Sequence, residues 1–344
     1  MGGVPRLPPM LIATVDTGTT NTRVRVWRDN VCLVENATSV GVRDTAISGN
    51  NAKLKDCVAQ LLLDAAGCAG VSLNGVDLIL ATGMITSNVG LLEIPHVECP
   101  AGASELSKAM REVHLPEVAP KPIWFIPGVK NIPPADPSKD FSAIDFMRGE
   151  EVEALALIDR LALKGPACLV LPGSHNKFIE IDDQARIRQC VTTLAGELVL
   201  AITCHTVLAN TLGGALVDQL KPEWLDQGAS LAKSQGLTRA AFSVRALGTM
   251  AGANQQECAN FLLGAILASD LVTLQTMLHS DRLQDAPIIV AGSSPMATAM
   301  VLLARQEPEI KNRIQHVTAE KSRNIAGYGA ILVAQRRGLI PAVM

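Results

Sequence analysis

The sequence predicts a duplicated α/β protein whose two halves flank a cleft. A strand, a glycine-bearing turn and a second strand occur over residues 11–27 and again over 167–181, each followed by alternating helical and extended patterns. The length, 344 residues, also exceeds what a single hydrophobic core usually fills, so two domains are expected.

The first half opens with an apolar run at 11–15, a polar turn over 16–21, and a stretch over 22–27 where Val24 and Val26 alternate with Arg23 and Arg25. A third strand is expected at 31–40, a fourth at 77–81 and a fifth at 123–126. The helix expected at 52–66 carries Leu54, Val58, Leu61, Leu62 and Ala65 on one side. Irregular, proline-bearing stretches fill 84–122 and 127–137, and long loops inside compact domains usually serve function. The helix expected over 148–163 is apolar almost all round from Ala154 to Ile158, which places it in the interior. After Gly165-Pro166 the pattern restarts with a strand at 167–171, a turn at 172–175, strands at 177–181 and 186–191, and a helix at 195–208. Helices at 223–234 and 256–278, a strand at 288–291, and helices at 296–304 and 325–336 complete it.

Composition narrows the function classes. Thirty Lys and Arg stand against 33 Asp and Glu, for a net charge of -3 with no sustained run, and aromatic residues are only 3%. Nucleic acid is therefore not an expected partner, since neither a basic stripe nor stacking platforms are supplied. The eight cysteines lie mostly in apolar stretches and form no CxxC pair, so reduced, buried thiols are expected. No apolar leader precedes the first strand, and Asp270 and Gln275 interrupt the apolar helix near 261–277. The expectation is a soluble cytoplasmic protein with no membrane partner; a homodimer is allowed by the sequence.

The first turn reads Asp16-Thr17-Gly18-Thr19-Thr20-Asn21. Glycine lets backbone N–H groups approach phosphate oxygens, and Thr and Asn side chains add donors. Asp16 would repel phosphate, so its expected task is to hold hydrated Mg2+. All four residue types are also ordinary in turns. Pro172-Gly173-Ser174-His175-Asn176-Lys177 stands at the equivalent point of the second half and favours the phosphate reading. His175 reads as a ligand, a base or a hydrogen-bonded structural residue, the last being commoner for a lone turn histidine. Lys177 either brings charge toward phosphate or solvates a strand start.

Three further segments carry candidates. Gly292-Ser293 follows an apolar strand and precedes a helix, a junction over which a nucleoside can lie. Met147-Arg148-Gly149-Glu150-Glu151 opens the interior helix; its carboxylates either complement the helix dipole or perform acid/base work. Met84, Ser87 and Asn88 follow the fourth strand, where polar groups can meet ligand hydroxyls.

In order along the chain, Asp16-x-Gly18-x-Thr20-Asn21-x-Arg23, Gly83-Met84-x-x-Ser87-Asn88-Val89-Gly90, Ile126-Pro127-Gly128, Met147-Arg148-Gly149-Glu150-Glu151, Pro172-Gly173-Ser174-His175-x-Lys177 and Gly196-Glu197-Leu198 resemble the 2-dehydro-3-deoxygalactonokinases. The resemblance runs from residue 11 to about residue 334. It implies the two-lobed actin-like ATPase (ribonuclease H-like) fold and transfer of the ATP γ-phosphate to the 6-hydroxyl of 2-dehydro-3-deoxy-D-galactonate, with Mg2+. It implies ATP contacts at Gly18, Thr19, Thr20, Asn21, Gly173, Ser174, His175, Lys177, Gly292 and Ser293, and sugar-acid contacts at Arg23, Met84, Ser87 and Asn88. Glu150 occupies the place of the general base, Asp16 holds the metal, and Arg148 or Arg23 steadies substrate or phosphoryl charge. Ala268-Ser269-Asp270 stands where the family pattern has Gly or Ala followed by Glu. The lobes are expected at 11–147, with the first phosphate hairpin and the sugar-acid site, and 148–334, with the second hairpin and the adenosine site, between tails at 1–10 and 335–344. The rival readings are another sugar or sugar-acid kinase of the same superfamily and a non-catalytic actin-like nucleotide-binding protein.

Overall fold

The computed structural model describes residues 10–136, 138–317 and 319–341. In chain order the strands are β1 (Leu11–Thr17), β2 (Thr22–Arg28), β3 (Val31–Thr38), β4 (Leu78–Gly83), β5 (Val97–Glu98), β6 (Arg111–Val113), β7 (Ile123–Phe125), β8 (Val129–Lys130), β9 (Phe146–Met147), β10 (Ala167–Leu171), β11 (Asn176–Ile181), β12 (Ile187–Thr193), β13 (Ile288–Ala291) and β14 (Ile314–Val317). The helices are α1 (Val42–Ser48), α2 (Ala52–Cys68), α3 (Ala103–Ala109), α4 (Glu150–Arg160), α5 (Ala195–His205), α6 (Ala209–Leu212), α7 (Pro222–Gln235), α8 (Leu237–Met250), α9 (Gln255–Leu278), α10 (Pro295–Ala304), α11 (Ala319–Ser322) and α12 (Ile325–Arg337).

The chain forms two units, one made of the residues up to Ala162 together with those from Asn324 onward, the other of Leu163–Arg323. The boundary expected at 147/148 therefore falls inside the first unit, and the expected lobe 148–334 is cut at both ends. The reason is packing. Helix α4 lies against α12 so closely that a Cβ on Gly329 would collide with the Val152 carbonyl oxygen. Gly327 likewise leaves room for the Trp27 ring and Thr14, whose hydroxyl accepts from Trp27 Nε1 at 2.8 Å. The C-terminal helix thus completes the unit that the N-terminal strands begin.

Each unit repeats one sheet plan. In the first the order is β3-β2-β1-β4-β7-β6, with β1, β2 and β3 antiparallel and β1, β4 and β7 parallel. In the second it is β12-β11-β10-β13-β14, again with three antiparallel strands followed by parallel additions. The core of the first unit gathers Val15, Val24, Leu54, Val58, Leu62, Ile79 and Phe125, and that of the second gathers Val170, Phe178, Leu225, Leu262, Leu274 and Val290.

Departures from the expected elements have local causes. The interior helix starts at Glu150 because Gly149 has φ +112°, and ends near Arg160 because Ala162 has φ +48°. Strand β14 was not expected: its four residues carry little pattern of their own, and β13 recruits them as a parallel edge. The small sheet β5-β8-β9 was hidden for the same reason. Helix α9 is long and apolar enough by composition to cross a membrane, yet most of it is buried inside the second unit, as an interior helix. All eight cysteines are free, but only Cys99, Cys168, Cys190 and Cys258 are buried, while Cys68 and Cys204 are exposed.

Gly329→Ala should destabilise the first unit by about 1–3 kcal/mol, the usual cost of forcing a methyl into a packed contact. Urea unfolding followed at the buried Trp27 checks this; a midpoint equal to wild type would mean that α12 and α4 separate without cost.

Candidate active site

In the first unit β1 runs parallel to β4, with Asp16 beside Thr82 and Thr17 beside Gly83, so both strands end at one edge. Such carboxyl-end edges are where α/β sheets take ligands. Gly83 has φ +85°, and a Cβ there would lie 2.5 Å from Thr17 O and 3.2 Å from Asp16 Oδ1. Gly149 presses on it from α4, where a Cβ would lie 3.3 Å from Gly83 Cα. Two facing glycines thus bring the first turn of α4 against the strand ends.

The hairpin between β1 and β2 is closed by the Gly18 N–H, which donates to Asn21 O at 2.8 Å, and Asn21 Nδ2 donates to Thr20 Oγ1 at 2.9 Å. Its carbonyls are satisfied from behind: Val42 N–H donates to Gly18 O at 3.2 Å and Arg43 N–H to Thr19 O at 2.9 Å. Gly41 permits this approach, since a Cβ there would lie 2.5 Å from Thr19 O. Asp16 is mostly buried, with Arg23 Nη1 3.8 Å from its Oδ2. Burial raises its carboxyl above the usual range, while the Arg25 and Arg23 charges pull it down.

Sequence reasoning missed two members of this cluster. Arg25 is buried; its Nε donates to Glu35 at 2.6 Å and to Asn324 Oδ1 at 3.2 Å, and its Nη1 has no hydrogen-bond partner among the described residues. Glu153 lies three residues after Glu150, hence on the same helix face. Burial, then the charges of Asp16 and Glu150, push its carboxyl up to about 8 against the pull of Arg25 and Arg23. The i, i+3 spacing was the available signal.

At the mouth of α4, Glu150 is half-buried. Glu151 is fully buried: its Oε2 accepts from Gly149 N–H at 2.7 Å, and its Oε1 has no partner among the described residues. Burial first, and the Glu150 charge second, push its carboxyl up to about 8. A dipole-complementing surface residue would stay ionised and wet, so the dipole alone does not account for Glu151.

Other expected residues are placed differently. Arg148 is committed to the fold, with Nη1 donating to Thr86 Oγ1 at 2.8 Å, Nη2 to Ile94 O at 2.7 Å, and His96 Nδ1 3.4 Å away. Burial lowers its pKa, opposed by Glu151 and Glu93. These bonds tie the 84–96 segment to the mouth of α4. Ser87 is buried and donates its hydroxyl to Met84 O at 2.7 Å, closing a turn; Asn88 is exposed and Met84 half-buried.

In the second unit Gly173 and Ser174 are exposed at the tip between β10 and β11. Glu197 N–H donates to Ser174 O at 3.0 Å, and a Cβ on Gly196 would collide with Gly173 O, so α5 backs this hairpin as α1 backs the first. His175 Nε2 lies 3.3 Å from Glu197 Oε1, the structural pairing commoner for a turn histidine. Lys177 is buried, and its ammonium donates to Thr192 Oγ1 at 2.7 Å across the sheet. Gly292 has φ +116°, its carbonyl lies 2.8 Å from His316 Nε2, and Ser293 is exposed before Ser294 caps α10.

The profile of the 2-keto-3-deoxy-galactonokinase family matches residues 16–320. The chain belongs to this family. A 2-dehydro-3-deoxygalactonokinase of Escherichia coli (strain K12) is 27% identical over 289 residues, covering 81% of this chain and 85% of its own. A Sinorhizobium meliloti protein provisionally given the same name superposes with a TM-score of 0.71 at 21% identity, covering 96% of this chain and 99% of its own. The activator of the 2-hydroxyisocaproyl-CoA dehydratase from Clostridium difficile, solved with bound ADPNP, reaches 0.50 at 11% identity over 97% of this chain and 100% of its own. The fold of this galactonokinase-family chain is thus the actin-like ATPase fold, as the repeated sheet plan indicates.

Glu151 predicts a pH signature. Its folded carboxyl titrates near 8 against an ordinary 4.5, so the stability it contributes is complete below about pH 4.5 and is lost as pH rises toward 8. Glu151→Gln keeps a carbonyl for the Gly149 N–H and removes the charge. Urea unfolding across that window should show a flatter fall in stability than wild type, and an unchanged slope would assign the titration elsewhere.

Proposed function

We propose that this chain transfers the γ-phosphoryl group of ATP to the 6-hydroxyl of 2-dehydro-3-deoxy-D-galactonate, releasing ADP. The observation that carries the proposal is the family match over residues 16–320, which includes Asp16 and the mouth of α4. The geometry supports it: one strand-end edge in the first unit gathers a glycine hairpin, a mostly buried aspartate and a helix opening with carboxylates.

Phosphoryl transfer needs positioning and charge stabilisation more than covalent help from the protein. The Thr19–Asn21 segment of the first hairpin and the Gly173–His175 segment of the second are read as phosphate contacts, and the Gly292-Ser293 turn as the seat of adenosine. Glu150 is the proposed base: half-buried at the helix mouth, it accepts the proton of the attacking hydroxyl. Arg23, partly exposed beside Asp16, is the proposed partner of an anionic substrate group now that Arg148 is engaged. Met84 and Asn88 remain proposed neighbours of the sugar acid.

The donor set fits Mg2+. Among the described residues no three His, Cys, Asp or Glu side chains converge as a cage, and Mg2+ that keeps waters and phosphate oxygens needs only one or two carboxylates. Asp16, mostly buried at the end of β1, supplies one. When bound, the ion would neutralise phosphate charge. Free thiols in all eight cysteines accord with a reducing cytoplasm, our proposed location.

A coupled ADP-release assay with 2-dehydro-3-deoxy-D-galactonate and its gluconate epimer tests the substrate; ADP release that depends on neither acid sinks the reading. Glu150→Gln should bind Mg-ATP as wild type does and lose roughly two to four orders of magnitude in kcat. Normal turnover in that variant would move the base elsewhere, with Glu153 next in line on the same face.

A further inference from the structure

Helix α9 is apolar on nearly every side, and within it Asp270 is only 3% exposed. A carboxylate is costly to bury, so one retained there needs a partner that repays the desolvation. Its partner is Asn176, fully buried at the start of β11, whose Nδ2 donates to Asp270 Oδ2 at 2.6 Å. The other end of that amide, Oδ1, accepts from Gly173 N–H at 2.8 Å. The direction of this chain of hydrogen bonds is fixed. A backbone N–H can only donate, so the amide oxygen must face Gly173, and the amide nitrogen then needs an acceptor behind it. Burial raises the Asp270 carboxyl, and the Asn176 side chain, then that of Thr193, oppose the rise.

We propose that Asp270 is a positioning residue for phosphate binding, acting through Asn176 to lock the second hairpin in the shape that receives phosphate oxygens. The inference rests on reading that hairpin as a phosphate contact. Asn176 holds the turn by the Gly173 N–H while Glu197 N–H holds Ser174 O from the other side, so the exposed tip is pinned at both ends. The rest of α9 serves as the anchor.

Asp270→Asn tests the direction of the chain. An amide at position 270 can present either of its atoms, so the Asn176 side chain becomes free to flip, and flipping sets its NH2 against the Gly173 N–H. The dissociation constant for Mg-ADPNP, measured by calorimetry, should rise about three- to tenfold, the size of one ordinary hydrogen bond. The KM for the sugar acid should not change. Hydrogen exchange at the Gly173 amide should quicken. The double variant Asn176→Asp/Asp270→Asn has the same composition as wild type and should recover both readouts, because a carboxylate at 176 accepts from Gly173 and from the amide at 270 alike. A merely structural role would lower Tm without shifting nucleotide affinity relative to sugar-acid KM.

Unchanged Gly173 exchange and unchanged ADPNP affinity in Asp270→Asn would overturn the proposal, as would a folded double variant that recovers neither. If the double variant does not fold, the single variant's exchange at Gly173 decides. Ser174→Tyr separates this inference from the reading beneath it, since bulk at the exposed tip should block phosphate. Should Ser174→Tyr leave ADPNP affinity intact, the hairpin reading fails; should it weaken binding while Asp270→Asn does not, only the role of Asp270 fails.

Discussion

A glycine hairpin can offer its turn to an anion only if its own carbonyls are turned away and satisfied, and here the N-terminus of a helix does that in each unit. Val42 and Arg43 N–H groups take the Gly18 and Thr19 carbonyls, and Glu197 N–H takes that of Ser174. The contact requires a missing side chain behind each turn, which is why Gly41 and Gly196 stand where they do. The sheet plan follows from this arrangement: three antiparallel strands form the hairpin, and parallel strands extend the sheet on the side where helices cross back. The repetition of this device is stronger evidence of duplication than the sheets alone, because it reproduces a hydrogen bond and a steric exclusion together.

The second theme is the cost of charge in a desolvated place. Glu153 feels the charges of Asp16 and Glu150 with Arg25 and Arg23 limiting the repulsion, and Glu151 feels Glu150 with Arg148 as its cation. Such crowding is unfavourable for stability alone and is typical of sites where protons or metal ions are handled. Two of these carboxyls, Glu151 and Glu153, are pushed up to about 8, so Glu151 can hold the Gly149 backbone without adding a full negative charge to the site. Arg148 illustrates the opposite outcome. Its two terminal nitrogens donate to Thr86 Oγ1 and Ile94 O, which makes it the tie between a loop and a helix.

Much of this was legible in the sequence. The alternation of Val24 and Val26 with arginines, the two glycine turns at equivalent points and the apolar run in the interior helix follow from the periods of strands and helices, and these depend on neighbours a few residues away. Six short motifs in order named the family, and the match over residues 16–320 agrees. Short elements such as β14 and the β5-β8-β9 sheet were not legible, because two to four residues carry no period and are extended only through their partners.

The sequence by itself determined the strand–turn–strand units, the interior character of α4 and α9, and the residue types available for phosphate and acid/base chemistry. Tertiary structure alone decided which of those residues are free to act. Lys177 and Ser87 look like ligand contacts in a string of letters, yet each also serves the fold, Lys177 by donating across to Thr192 on β12 and Ser87 by closing a turn on Met84 O. Glu153, Arg25 and Asn176 look ordinary, yet the fold brings Glu153 to Asp16, Asn324 to Arg25 and Asp270 to Asn176 from elements distant in the chain. The same distance explains the misplaced domain boundary: α12 returns to α4 across more than 160 residues, and no local pattern encodes a contact whose partners meet only after both units have been traced.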